Sequence, residues 1–308
     1  MNRHMAVFLV SLLVVAACEG GSDGVARQPE PVDPVCDSTS VLEDGVCRVF
    51  AERIDARATT PFVENGQPVN LEVVLFKPLE GERFPLLVIN HGSTGNGSDP
   101  SLFDDTFIHK PTSLHFVEQG WMVAYPQRRG RGRSDGLYDE GFTPNRSGYS
   151  CDAALALAGA DRALDDIDAA TDWLRMRADV DTTRMVLSGT SRGGILSVAY
   201  LARRPEVYLG AINFVGGWLG EGCGDFAAVN RSLFVDGAAF PGRSLWIYAE
   251  NDSFYSLGHS RSNFDAFTQA GGLGDFEVFQ REAGRNGHFI INDAGRWGGT
   301  VDAYIAGL

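Results

Sequence analysis

The chain has 308 residues, 44% of them hydrophobic and 21% charged, and a formal net charge of -14 at pH 7. That length and apolar content suffice for one large buried core and exclude a disordered or fibrous chain. The acidic balance argues against nucleic acid or an anionic membrane surface as a partner, because no basic field offsets the repulsion.

Arg3 and His4 precede an apolar run over residues 5–17, too short to span a bilayer and of the right length for a signal-peptide core. The run ends in Val15-Ala16-Ala17-Cys18, which resembles the lipobox of bacterial lipoproteins and implies lipidation of Cys18. Residues 19–34, rich in Gly, Pro, Ser and acids, read as a flexible tether. The expected organisation is a signal peptide at 1–17, a lipidated tether with a small hairpin at 18–48, and one large domain at 49–308. Ordinary secretion without the lipid is the alternative. Either way the protein is exported, to the bacterial cell envelope, the periplasm or the medium, and meets membrane only through the anchor.

Setting Cys18 aside, Cys36, Cys47, Cys151 and Cys223 remain, an even number that two disulfides would absorb in an oxidising compartment. Of the three pairings, Cys36 with Cys47 and Cys151 with Cys223 is favoured. The first pair would staple a hairpin around the turn-like Glu43-Asp44-Gly45. No CxxC or Cys/His cluster points to a metal.

Residues 49–58 and 69–76 alternate apolar with polar side chains around the Asn65-Gly66 turn signal and predict two antiparallel edge strands. The near-continuous apolar run at 84–90 predicts a strand buried on both faces, followed by the glycine-rich His91-Gly92-Ser93-Thr94-Gly95-Asn96-Gly97. A helix at 112–119 and a strand at 121–126 lead into a basic loop, Gln127-Arg128-Arg129-Gly130-Arg131-Gly132-Arg133-Ser134-Asp135-Gly136. Apolar residues at three and four spacing predict one long helix over 152–177. Further strands are predicted at 185–187, 209–215, 244–250 and 276–280, with helices after residue 191, at 261–269 and near the C-terminus. Residues 216–241 read as irregular, the one sizeable insertion. Strands alternating with helices imply an α/β fold with a mostly parallel sheet covered on both faces, without internal repeat or second domain.

Ligands of such sheets bind at the carboxyl ends of the strands, so the loops there carry the candidate chemistry. Met185-Val186-Leu187 breaks at Gly189-Thr190-Ser191-Arg192-Gly193-Gly194 and resumes as a helix, a sharp turn that would expose Ser191 as a nucleophile. A serine needs a base, and among the histidines His288 alone follows the final strand, in Gly287-His288-Phe289. A carboxylate must hold the imidazole, and Asp252 follows strand 244–250, with Glu250 as runner-up. The backbone N–H groups of Ser93 and Arg192 are the candidate oxyanion donors. His91 is read as a structural hydrogen-bonder. Arg129 and Trp218 are candidate substrate contacts, against ion pairing for the arginine and core packing for the tryptophan.

His91-Gly92-Ser93, the Arg129 to Gly136 stretch, Gly189 to Gly194, Glu250-Asn251-Asp252 and Gly287-His288-Phe289 together make the chain resemble an α/β-hydrolase, in particular the dienelactone-hydrolase and prolyl-oligopeptidase-like branch. The resemblance implies hydrolysis of an ester, thioester or amide through an acyl-enzyme, without cofactor or metal. Many dienelactone hydrolases use cysteine where this chain has Ser191. The expectation is a monomeric serine carboxylesterase acting on a small or polymeric ester, with residues 216–241 as a short cap restrained by Cys151–Cys223. A serine peptidase or acylaminoacyl hydrolase is the nearest alternative, and a catalytically silent surface-binding lipoprotein the other.

Overall fold

The computed structural model describes residues 34–308. The expected signal peptide, Cys18 and most of the tether lie outside the described residues. The first described elements, β1 (Ser40–Glu43) and β2 (Val46–Val49), pair antiparallel as a separate hairpin. Asp44 and Gly45 turn it, both with positive φ, and Cys36–Cys47 staples it. Arg48 reaches Glu118 at 2.5 Å and Lys110 donates to the Asp37 carbonyl at 2.8 Å, which seats the hairpin on the main domain.

The domain then runs β3 (Glu52–Glu64), β4 (Gln67–Lys77), β5 (Phe84–Asn90), α1 (Lys110–Val117), β6 (Met122–Pro126), α2 (Ala153–Arg175), β7 (Val180–Thr190), α3 (Arg192–Leu201), β8 (Gly210–Phe214), α4 (Phe226–Asp236), β9 (Arg243–Ala249), α5 (Leu257–Gln269), β10 (Leu273–Phe279) and α6 (Ala294–Ala306). The strands form one eight-stranded sheet in the order β3-β4-β6-β5-β7-β8-β9-β10. β3 and β4 are the antiparallel edge, turning at Asn65-Gly66, and from β6 onward all pairs are parallel. Helix α1 packs with α6, while α2, α3, α4 and α5 pack together, so the sheet is covered on both faces. This is the α/β-hydrolase architecture.

The burial pattern explains the element types. Every residue of β6 and β8 is buried, as is all of β5 except Pro85, which suits strands covered on two faces. In α2 the buried Ala156, Ala160, Ala163, Leu164, Ile167, Ala170 and Leu174 make one stripe, and the Asp152 side chain caps the helix by accepting from Leu155 N–H at 3.0 Å. All ten residues of α3 are buried, which places this helix at the centre of the molecule directly behind the turn at Ser191.

Several boundaries differ from expectation, among them β7, which starts at Val180 rather than Met185. The first edge strand runs to Glu64 rather than ending near 58, because pairing with β4 continues through a register irregularity between Thr59 and Val63. The stretch read as irregular, 216–241, contains α4, whose Val229, Leu233 and Phe234 are buried. Glycines at 216, 217, 220, 222 and 224 obscure that periodicity, and only the loop before α4 overhangs the site.

Candidate active site

Ser191 stands between β7 and α3 with φ 55° and ψ -122°, a strained region for a residue with a Cβ. The turn closes only because its neighbours lack side chains. A Cβ on Gly189 would overlap the Gly193 carbonyl, and one on Gly193 would overlap the Asn90 carbonyl of β5. On the opposite side Gly92 approaches so closely that its Cβ would lie 3.2 Å from that of Ser191. Ser93 and the N-terminal residue of α3, Arg192, border the same cleft as Ser191. Among the described residues neither of their backbone N–H groups meets a protein acceptor. Both are therefore available to an oxyanion.

Asp252 lies in the loop after β9, and its Oδ1 accepts from the N–H groups of Phe254 at 2.7 Å and Tyr255 at 3.1 Å. His288 Nδ1 donates to Asp252 at 2.9 Å (Oδ2) and 3.1 Å (Oδ1), which directs Nε2 the other way. The two loops are locked together. A Cβ on Gly287 would overlap the Glu250 carbonyl, Gly287 N–H donates to Asn251 O at 3.1 Å, and Asn286 Oδ1 accepts from both His288 N–H and Ser253 N–H. Glu250, the runner-up, instead accepts from Gln280 at 3.1 Å and makes no bond to His288. Ser191 and His288 border one cleft without a direct hydrogen bond between them. Asn286 and the aromatic side chains around His288, with Phe254 at 4.4 Å and Tyr255 at 5.7 Å between ring centres, escape a search of the sequence for ionisable groups.

Behind the turn lies a buried ionic cluster. Arg128 Nε meets Glu140 Oε1 at 2.5 Å, and Arg192 Nη1 donates to the Glu140 carbonyl at 2.9 Å. The Arg192 guanidinium is sandwiched between the rings of Tyr149, at 3.7 Å, and Trp218, at 4.2 Å. Burial opposes ionisation of Glu140, but Arg128, Arg192 and Arg131 outweigh it and lower its pKa. His91 is fully buried, and burial together with Arg128 and Arg131 holds its pKa well below 6.5. The neutral ring is consistent with Nδ1–H donating to Gly92 O at 2.8 Å and Nε2 accepting from Arg128 N–H at 3.2 Å. His91 therefore shapes the loop that carries Gly92 and Ser93, as the sequence reading has it.

The family model for X-Pro dipeptidyl-peptidase (S15 family) matches residues 65–218, half of the chain. The chain belongs to the S15 family. The match takes in Ser93, Ser191 and Arg192 and ends before Asp252 and His288. Solved structures similar to this S15 chain include the Pyrococcus furiosus esterase Pf2001, at 14% identity over 83% of this chain and 90% of the other, with a TM-score of 0.56. An acetyl xylan esterase from Paenibacillus sp. R4 reaches 17% identity over 83% and 84%, TM-score 0.56. Dipeptidyl peptidase 4 from Porphyromonas gingivalis reaches 16% over 83% of this chain and 35% of that larger one, TM-score 0.57. At such identities these likenesses show the α/β-hydrolase fold and nothing finer. No curated protein matches the chain.

Within the S15 chain, the cleft over Ser191 has two lobes of about 300 Å³ and 310 Å³. Ser93, Gly95, Ser191 and Phe254 border both. The first lobe is walled by Tyr149, Arg192, Leu219, Tyr255 and the Cys151–Cys223 disulfide, the second by Phe107, Arg131, His288, Phe289 and Ile291. Trp218 backs the first lobe from within the core, only 1% exposed, with its indole N–H donating to Ala156 O at 2.8 Å. Arg129 departs from its expected role in substrate binding. It borders neither lobe, sits 2.5 Å from Asp166 and 3.6 Å from Glu64, and stacks on Phe62, because the acids beside it balance its charge inside the protein. Asp166 is raised to about 6, by burial first, with Arg129 offsetting part of it.

Proposed function

We propose that the protein is an exported serine hydrolase that cleaves carboxylic esters through an acyl-enzyme. Ser191 is the nucleophile, His288 the base, Asp252 the group that fixes the imidazole, and the N–H groups of Ser93 and Arg192 the oxyanion donors. The observation that carries this reading is the Asp252–His288 pair facing a cleft whose floor is a strained, positive-φ serine. His288 removes the Ser191 proton as Oγ bonds to the acyl carbon. The same proton then goes to the leaving oxygen as the C–O bond breaks, and a water repeats the sequence to release the acid.

The S15 match favours a second reading, a peptidase. A peptidase that takes a substrate's N-terminus must seat an ammonium group, yet no Asp or Glu lines either lobe among the described residues, which favours the ester. Turnover of p-nitrophenyl acetate against Ala-Pro-p-nitroanilide decides between them. Ser191→Ala should lower ester turnover by at least about 10³-fold while circular dichroism and melting stay unchanged. Retained turnover refutes the reading.

The two disulfides fit an oxidising, exported location. A lipid anchor on Cys18 belongs to the same proposal and rests on the sequence. Palmitate labelling that survives Cys18→Ala would remove it.

A further inference from the structure

The two lobes differ in which catalytic group they meet. His288 borders only the second lobe and Arg192 only the first. In acyl transfer the histidine returns its proton to the leaving atom, so the leaving group must occupy the lobe that His288 lines, and the acyl group the other. The second lobe also contains Arg131, 5% exposed.

We propose that Arg131 is a specificity-determining residue that receives a carboxylate carried on the leaving-group side of the substrate. The inference rests on the hydrolase reading above. Arg131 donates to Leu102 O at 3.0 Å and Asp105 O at 3.4 Å, its Nε is buried without a partner, and among the described residues no carboxylate lies within ion-pairing distance of it. The acids nearby are taken. Glu140 pairs with Arg128 and Arg192, Asp166 with Arg129, and Glu72 with Arg133. Four buried guanidinium groups, on Arg128, Arg129, Arg131 and Arg192, thus sit among three buried carboxylates, Glu72, Glu140 and Asp166, the first of which is bonded to Arg133. A buried cation with no carboxylate in direct contact is costly, and an incoming carboxylate supplies both the charge and the acceptors that the guanidinium fork fits. Phe107, Phe254, Phe289 and Ile291 line the remainder of the lobe and suit an apolar body bearing that carboxylate. The preferred substrate is therefore an acyl ester of a hydroxy acid, with the carboxylate retained on the departing alcohol.

The test compares 4-carboxyphenyl acetate with 4-carbamoylphenyl acetate, which share the acyl group and differ in leaving-group charge. A second pair, monophenyl succinate and phenyl succinamate, moves the charge to the acyl side. The wild-type protein should favour the carboxylate about tenfold in kcat/KM in the first pair and not in the second. Arg131→Gln should bring that ratio close to one while 4-carbamoylphenyl acetate stays within about threefold, and Arg131→Lys should keep part of the preference. Equal wild-type turnover of the first pair, a preference confined to the second, or an equal loss on both esters in Arg131→Gln overturns the inference. Turnover of 4-carbamoylphenyl acetate that depends on Ser191 tests the hydrolase reading separately, and the two wild-type ratios need no variant.

Discussion

Asp252 and Glu250 are two residues apart in the chain, yet only one of them faces His288. Asp252 is held by two backbone N–H groups of its own turn, so its carboxylate is aimed before the imidazole arrives. Under the proposed mechanism its task is orientation and charge. Asp252→Asn should therefore lower kcat for p-nitrophenyl acetate on the order of 10³–10⁴-fold with little change in KM, measured by initial rates. An Asn that leaves kcat within tenfold would return the role to another acid. Ser191, Asp252 and His288 were legible because each is an ionisable or nucleophilic side chain just past a predicted strand. Asn286 and Tyr255 were not. Their contributions are a side-chain amide bridging two loops and a ring packed on an imidazole, which depend on the spatial meeting of loops 33 or more residues apart. Arg131 and Arg129 sit two positions apart in one basic run. The sequence offered no means of telling which one turns toward Asp166 and which toward the cleft.

At the level of the element, strands β5, β6, β8 and β9 and the end of β7 were legible because continuous apolar runs have no other soluble use than burial on two faces, whereas the polar first half of β7 was not. Helix α4 was not, since its short stripe is flanked by glycines and its buried Asn230 caps nothing in sequence. Asn230 instead accepts from Trp218 and Leu219 N–H at 2.9 Å each. The turn between β7 and α3 is the least tolerant junction in the fold. Its geometry needs the β5 carbonyl of Asn90 pressed against Gly193, so Gly193→Ala forces either backbone movement or loss of strand pairing. The expected cost is about 2–4 kcal/mol in urea unfolding, with the soluble fraction falling accordingly. Gly295→Ala, on α6 with open space around its Cβ position, is the control that should leave stability unchanged or slightly raised.

For the whole molecule the two disulfides divide the work unequally. Cys36–Cys47 spans 11 residues and ties only the hairpin, whereas Cys151–Cys223 spans 72 and joins the start of α2 to the loop that walls the first lobe. Chain entropy gives about 3 kcal/mol for the first and about 4 kcal/mol for the second. Replacing Cys36 and Cys47 by Ser should leave ester kinetics unchanged. Replacing Cys151 and Cys223 should both lower Tm and raise KM, read by calorimetry and initial rates; an unchanged KM would mean that the bridge serves stability alone.

The larger covalent ring contains α2, β7, α3 and β8, with Ser191 inside it. A protease that nicks any peptide bond between residues 151 and 223 therefore yields two fragments still joined through sulfur. Such a molecule migrates as one band on a non-reducing gel and separates only after thiol treatment. In an extracellular setting, where cleavage is common and reductant scarce, a cut there would leave the acid, the histidine and the serine tethered in one particle.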